Sequence, residues 1–399
     1  MSIKAASLAL VFCAFCFSAS AENSAPSSGH YLFAWTGDAE KKGNDFLAVI
    51  DADPASATYG QLVTTLATDQ QTVRIHHTEY VMPASGMLFA NDHDVGRTFI
   101  FDVNDPLHPR IVKSFTDMDG YMHPHSYVRL PNGHVLATFQ HSHQGSMAGA
   151  GGLVEIDDRG NVIRSASASD PAFADALLMP YGLVVLPDQD RVVTTNSSMH
   201  DEDLFSGVTY QLWRLSDLRL LKTARFDIGA NGYAHIAPEE PRLAADGSIL
   251  VQTLGCGMER ITGVTGSQPS SKLVHTFPGN WCGVPTIVGQ YFVESVPAIH
   301  GLIVMDIAKP DSPVEVSRLT LDPAFRTHWT GWDAKTHRLV VTGSAGRLFL
   351  VKLDESTGVA TVDTAFHDAS GKPGFDFANR DWPQGWKGTG QPHGVVFSR

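Results

Sequence analysis

Beyond residue 29 the chain alternates short β-branched and aromatic runs with polar turns, and no apolar run keeps a helical spacing over a convincing length. One phrase recurs: a short strand, a turn rich in Pro, Asn, Asp or Gly, then a second β-branched strand. It opens at His77, His125, Tyr181, Glu240, Cys282, His328 and His393, with spacings of 48, 56, 59, 42, 46 and 65 residues. Propeller blades repeat every roughly 40–50 residues, with loop insertions on top. A third strand follows each phrase and commonly closes on an aspartate, as at Asp51, Asp102, Asp157, Asp306 and Asp354. A fourth strand comes after the turn, for example over residues 110–115, 162–166 and 314–319. Four strands in each of seven units predict an all-β fold, a seven-bladed β-propeller with antiparallel blades. The seventh unit stops after its first strand. Residues 30–35, 46–51 and 62–66 supply the missing strands, so the last blade pairs both chain ends and leaves no open edge. One short helix is predicted over residues 171–179.

Composition narrows the picture. The 399 residues are 43% hydrophobic and 18% charged, which excludes a disordered or collagen-like chain. A formal charge of −13 argues against nucleic acid and against docking on an anionic membrane. Residues 1–21 read as a signal peptide: Lys4 supplies the charge, residues 8–17 the apolar core, and Ala19-Ser20-Ala21 the cleavage site. No other apolar stretch approaches the length of a transmembrane helix. The expected product is a soluble, exported single domain over residues 22–399, periplasmic where the cell has an outer membrane. Cleavage removes Cys13 and Cys16. It leaves Cys256 and Cys282 as a disulfide, a free thiol with its partner, or a soft metal ligand.

In a propeller the first strand of each blade lines the central channel. His77, His125, Tyr181, Glu240, Cys282, His328 and His393 therefore converge on one mouth, with His76 and His123 beside them. A single histidine at such a position is ordinarily structural. Four at equivalent positions crowd neutral imidazoles together, and a transition metal would engage their lone pairs. Imidazole with one carboxylate suits Cu, Zn, Fe or Ni and excludes Ca or Mg as the main occupant. Glu79, two residues after His77, shares its side of a regular strand and is a candidate to orient an imidazole. No H-E-x-x-H, C-x-x-C, nucleophile elbow, P-loop or dinucleotide fingerprint is present. His141-Ser142-His143, the loop reaching His200 and the loop from Trp382 to Trp386 are further loop features near candidate chemistry.

At these residues the sequence resembles the selenium-binding protein family, whose members include methanethiol oxidases. Residues 45–54 and 96–102 carry the resemblance, together with His76-His77-Thr78-Glu79-Tyr80, His123-Pro124-His125-Ser126, Glu240-Pro241-Arg242, His328-Trp329 and Pro392-His393-Gly394. The resemblance implies a copper-dependent oxidase that acts on methanethiol with O2, giving formaldehyde, hydrogen sulfide and hydrogen peroxide. It implies copper on His77, His123, His125 and His393, with His76 close by; the repeat, and not the resemblance, adds His328 as a further ligand. His76, Glu79, Tyr181 and Glu240 then orient ligands or move protons, and Cys282 is a redox partner or half of a disulfide with Cys256. Animal members carry a selenium-linked cysteine where this chain has Ala34, so selenium binding through that thiol is not expected. Three other readings stay open: a non-enzymatic copper- or selenium-binding propeller, a metal-free scaffold, and a metal-dependent lactonase. The oligomeric state is open too, a homo-oligomer included.

Overall fold

In each repeat the middle strands are apolar on both faces and the outermost strand is not. Phe46–Asp51 and Tyr291–Val296 are buried throughout, whereas Arg110–Phe115 and Val314–Thr320 are largely exposed. Sheets of that kind bury both faces only by stacking on two neighbours, which seven of them do around an axis. The structure is a computed structural model, and it describes residues 29–399 apart from 73, 94, 143–148, 201, 228–235 and 267. The signal peptide predicted over residues 1–21 lies outside the described residues.

The seven blades are four-stranded antiparallel sheets, two of them extended by a short extra strand. Their innermost strands are Ile75–Thr78, Tyr121–Arg129, Pro180–Leu186, Pro238–Leu243, Thr286–Val288, Thr327–Asp333 and Gly390–Phe397. The last pairs with Tyr31–Asp38, Leu32 opposite Phe397 and Phe33 opposite Val396, so the two ends close the ring as the repeat requires. Trp35 packs across to the first blade, 5.6 Å from Phe99 and 5.5 Å from Phe101 between ring centroids. Each such fully buried apolar side chain contributes about 1.5–3 kcal/mol. The helix expected over residues 171–179 is a single 3-10 turn, Pro171–Phe173, capped by Asp170. It buries none of its residues, so no packing extends it into an α-helix.

Bulges set where the innermost side chains point. In six blades the register of the innermost strand slips at the residue that opens the repeated phrase. His77 lies between paired Ile75 and Thr78, His125 between Pro124 and Tyr127, and Tyr181 between Pro180 and Leu183. Glu240 lies between Pro238 and Pro241, His328 between Thr327 and Trp329, and His393 between Pro392 and Val395. A bulge bends the strand and re-aims the extra residue. Here it turns one or two side chains per blade to the channel mouth.

The glycine after the residue that opens the phrase touches the next blade in the third, fifth and seventh blades. A Cβ on Gly394 would stand 2.4 Å from the backbone nitrogen of Thr78, and one on Gly182 or Gly283 would meet the next blade's backbone at 2.4 or 2.2 Å. Backbone cannot yield as a side chain does. Gly394→Ala is expected to lower stability by about 2–3 kcal/mol in urea unfolding. Gly266→Ala, whose Cβ finds its nearest neighbour at 3.5 Å, should be close to neutral.

The fifth blade departs from the pattern. Cys282 precedes its inner strand and is bonded to Cys256, with Cα atoms 5.0 Å apart. The sulfur is therefore neither a free thiol nor a metal ligand, which corrects the expectation of Cys282 as a catalytic redox partner. The bridge instead staples the fourth blade to the fifth.

Candidate metal centre

The bulges of the first, second, sixth and seventh blades bring five imidazoles together. His76 and His77 stack with centroids 4.1 Å apart. His125 lies 4.6 and 4.5 Å from them, and His393 lies 4.4 Å from His76. His328 stands 4.6 Å from His393. Two sets bring three ligand atoms within 4.8 Å of one another: His76, His77 and His393, and His77, His125 and Glu240. His77 belongs to both and is fully buried.

The hydrogen bonds fix the tautomers. Nδ1 of His125 lies 3.1 Å from the carbonyl oxygen of Tyr181, which only accepts, so Nδ1 donates and Nε2 keeps its lone pair. That Nε2 is 2.8 Å from Nε2 of His76. Ser126 donates to Oε1 of Glu240 at 3.0 Å, and Nη1 of Arg242 donates to Oε2 at 3.2 Å. Glu240 stands 3.6 Å from Nδ1 of His77, which leaves Nε2 of His77 buried with no hydrogen-bond partner. Nδ1 of His393 is likewise buried and unpartnered. Buried nitrogens without partners are rare, and these two belong to one compact set of borderline imidazole donors. A transition ion fits this set.

Burial holds His76, His77, His125 and His393 well below the ordinary histidine range, and the neighbouring imidazoles add to it. Burial lowers His328 to about 4. The rings are neutral near neutral pH, the state that binds metal. Burial pushes the opposite way on the acids: Glu239 rises to about 8, and the Tyr181 phenol is raised well above its usual value. Both line a cavity of about 610 Å3 whose walls also include His76, His328, His393 and Trp281.

Arg242 is the charge that this arrangement cannot lose. Its guanidinium stacks 4.1 Å from the Tyr80 ring centroid, and Glu240 is fully buried. Arg242→Ala leaves that carboxylate unpaired and is expected to cost about 3–5 kcal/mol in urea unfolding. Arg242→Lys, which keeps the charge and loses the planar stack, should cost less than half as much.

Not every expected residue joins the centre. His123 sits apart. Its backbone is left-handed, with φ 56°, and Nδ1 of its ring is 3.3 Å from the carbonyl of His93. Glu79 lies beyond the end of its strand. Nε of Arg129 donates to it at 2.7 Å and the Phe89 amide at 3.0 Å, so it closes an ion pair between blades rather than orienting an imidazole. Tyr181 and Glu240 are where the repeat puts them. His76, expected to orient ligands, stands at ligand distance itself. Glu239, Ser126 and Trp329 were not singled out. The doubled bulge that pairs His76 with His77 also pairs Glu239 with Glu240.

The fold and these residues define a seven-bladed β-propeller whose channel mouth offers a histidine site for a transition metal. Comparison with known proteins gives the particular kin. The chain is similar to the selenium-binding proteins and methanethiol oxidases, as its motifs suggest. It is 35% identical over 106 residues to a methanethiol oxidase of Hyphomicrobium sp., a match covering 25% of this chain and 24% of that one. It is 29% identical over 140 residues to the methanethiol oxidase of Ruegeria pomeroyi, covering 33% and 31%. The matches thus span about a quarter to a third of those relatives. Among solved structures, a selenium-binding protein of Sulfolobus tokodaii superposes with a TM-score of 0.71 at 15% identity, covering 94% of each chain, and shows the shared fold. No family model matches the chain.

Proposed function

We propose that the protein is an exported, copper-dependent oxidase of methanethiol, taking CH3SH, O2 and H2O to formaldehyde, H2S and H2O2. The observation that carries this reading is the group of His76, His77 and His393, of which His76 and His393 line the cavity, with unpartnered nitrogens on His77 and His393. Similarity to two methanethiol oxidases supports it. Copper bound there would supply affinity for soft sulfur and a route for electrons to dioxygen.

The chain's own residues do the rest. The Tyr181 carbonyl holds His125 with Nε2 turned to the other imidazoles. The chain from Arg242 through Glu240 to Ser126 keeps His125 and His77 from rotating. Glu239, protonated at neutral pH, borders the cavity as a proton donor, and the Tyr181 phenol beside it keeps its proton and serves as a hydrogen-bond donor. The cavity is much larger than a one-carbon thiol and has room for water as co-substrate. The reading therefore rests on the donor set and not on shape.

Copper-loaded protein is expected to consume O2 only when methanethiol is present, with H2S and formaldehyde appearing in equal amounts. Protein that keeps its copper and consumes no O2 is a carrier, and the oxidase reading then fails. Export predicts a periplasmic product whose N-terminus is Glu22. No helix among the described residues is long and apolar enough to cross a membrane.

A further inference from the structure

Four histidines outside the inner group form a second ring. His93 follows the second strand of the first blade, Met87–Asp92. His123 and His141 lie on the first two strands of the second blade. His200 follows the second strand of the third blade, Arg191–Asn196. Around the ring, centroids are 5.9 Å apart from His93 to His123, 5.2 Å from His123 to His141, 5.3 Å from His141 to His200, and 6.4 Å from His200 to His93. Imidazoles bound to one ion at about 2.0–2.1 Å have centroids about 5–6.4 Å apart. Nε2 of His141 and Nε2 of His200 are 3.2 Å apart, close to the roughly 3.3 Å between two nitrogens on one tetrahedral ion.

A second observation points to a ligand. His93 is 5% exposed, and neither of its ring nitrogens makes a hydrogen bond of good geometry, although the Gln140 amide stands close enough to act on the ring. Room for the ring has also been kept at Gly96, where φ is 62° and a Cβ would press on the His123 imidazole at 3.1 Å. The ring is wider than the inner sets, which alone among the described residues bring three ligand atoms within 4.8 Å. Closing it on an ion requires His93 or His123 to turn inward.

We propose that His93, His123, His141 and His200 form a second transition-metal site, separate from the inner group, for a divalent first-row ion that favours imidazole. His93 and His141 hold equivalent positions, opposite Arg74 and Met122 at the same end of their blades, whereas His123 and His200 follow no such equivalence, so the repeat supplies only half of the ring. It neighbours the inner centre, with His93 6.1 Å from His76.

The test is Co(II) titration of the purified protein, read by its visible ligand-field bands, with bound metal counted by mass spectrometry. Four proteins are compared: the parent, His141→Ala/His200→Ala, His77→Ala/His393→Ala, and the quadruple variant. The parent should hold one more ion than His141→Ala/His200→Ala, and His77→Ala/His393→Ala should keep an ion that the quadruple variant loses. His200→Ala alone, a change at a partly buried loop residue, guards against misfolding and should weaken the outer ion about 10–100-fold. Equal metal content and unchanged bands in the parent and His141→Ala/His200→Ala would overturn the proposal. Loss of one ion from the inner variant bears only on the inner centre, whereas an inner variant that holds no ion at all would also overturn the proposal.

Discussion

Alanine at both His77 and His393 is expected to abolish copper retention and methanethiol-dependent O2 uptake while the propeller stays folded. His77 belongs to both compact donor sets and His393 to one. Without them no three of the inner ligand atoms remain together, and a stable site needs at least three protein ligands. Loss of the metal removes several kcal/mol of transition-state stabilisation, on the order of 10^3-fold in rate or more. The fold should survive because the substitution also removes two buried nitrogens that lack partners, Nε2 of His77 and Nδ1 of His393. Its blades stay closed through the sheet pairing of Leu32 with Phe397, which neither residue makes. His328→Ala is the graded comparison. Its ring touches His393 but lies outside both sets, so a loss of about 10–100-fold in metal affinity is expected. Metal analysis after dialysis, an oxygen electrode and urea unfolding read the three quantities. A folded double variant that holds copper at the parent's stoichiometry would remove the inner centre from consideration.

The blades were legible because alternation, turn residues and closing aspartates are local signals. The channel position was legible because it recurs seven times. What escaped was the bulge, since one extra residue in a strand leaves no trace in composition. Regular strand geometry puts residues two apart on one side, and that rule pointed to Glu79 beside His77, while the resemblance placed His123 among the ligands beside His125. Both inferences fail for local reasons. The strand that carries His77 ends at Thr78, and Arg129, 50 residues on, draws the Glu79 carboxylate away. A left-handed backbone turns His123 toward His93. The cysteine pair was undecided because spacing cannot tell a thiol from a bridge, and only the juxtaposition of two blades settles it. His141 and His200 stood out only as loop histidines and His93 not at all, because three different blades supply the ring they share with His123.

Metal-free protein is expected to be most stable in mildly acidic solution, at about pH 6.5, and to weaken by several kcal/mol per pH unit on either side. Two buried sets act against each other. His76, His77, His125 and His393 are held well below the ordinary 6.5, His328 near 4 and His93 near 3, in each case chiefly by burial. The unfolded chain takes up these protons below pH 6.5 and the folded chain does not, so stability falls as pH falls. Glu239 and Glu259 are raised to about 8, Asp45 to about 7, and Glu294 well above its ordinary 4.5, again chiefly by burial. Here the folded chain keeps protons that the unfolded chain has released, so stability falls as pH rises through the folded values. Between the two ordinary values the sets oppose each other, six histidines against four carboxyls, so a shallower rise toward pH 6.5 remains. Above pH 6.5 only the carboxyls act, and below 4.5 only the histidines, each group contributing up to about 1.4 kcal/mol per pH unit. Urea unfolding from pH 4 to 8.5 measures the profile, and a steady rise from pH 5 to 8 would contradict it. The same balance bears on function. It keeps the imidazoles unprotonated and ready for metal under conditions in which Glu239, at the cavity wall, still carries a proton to give.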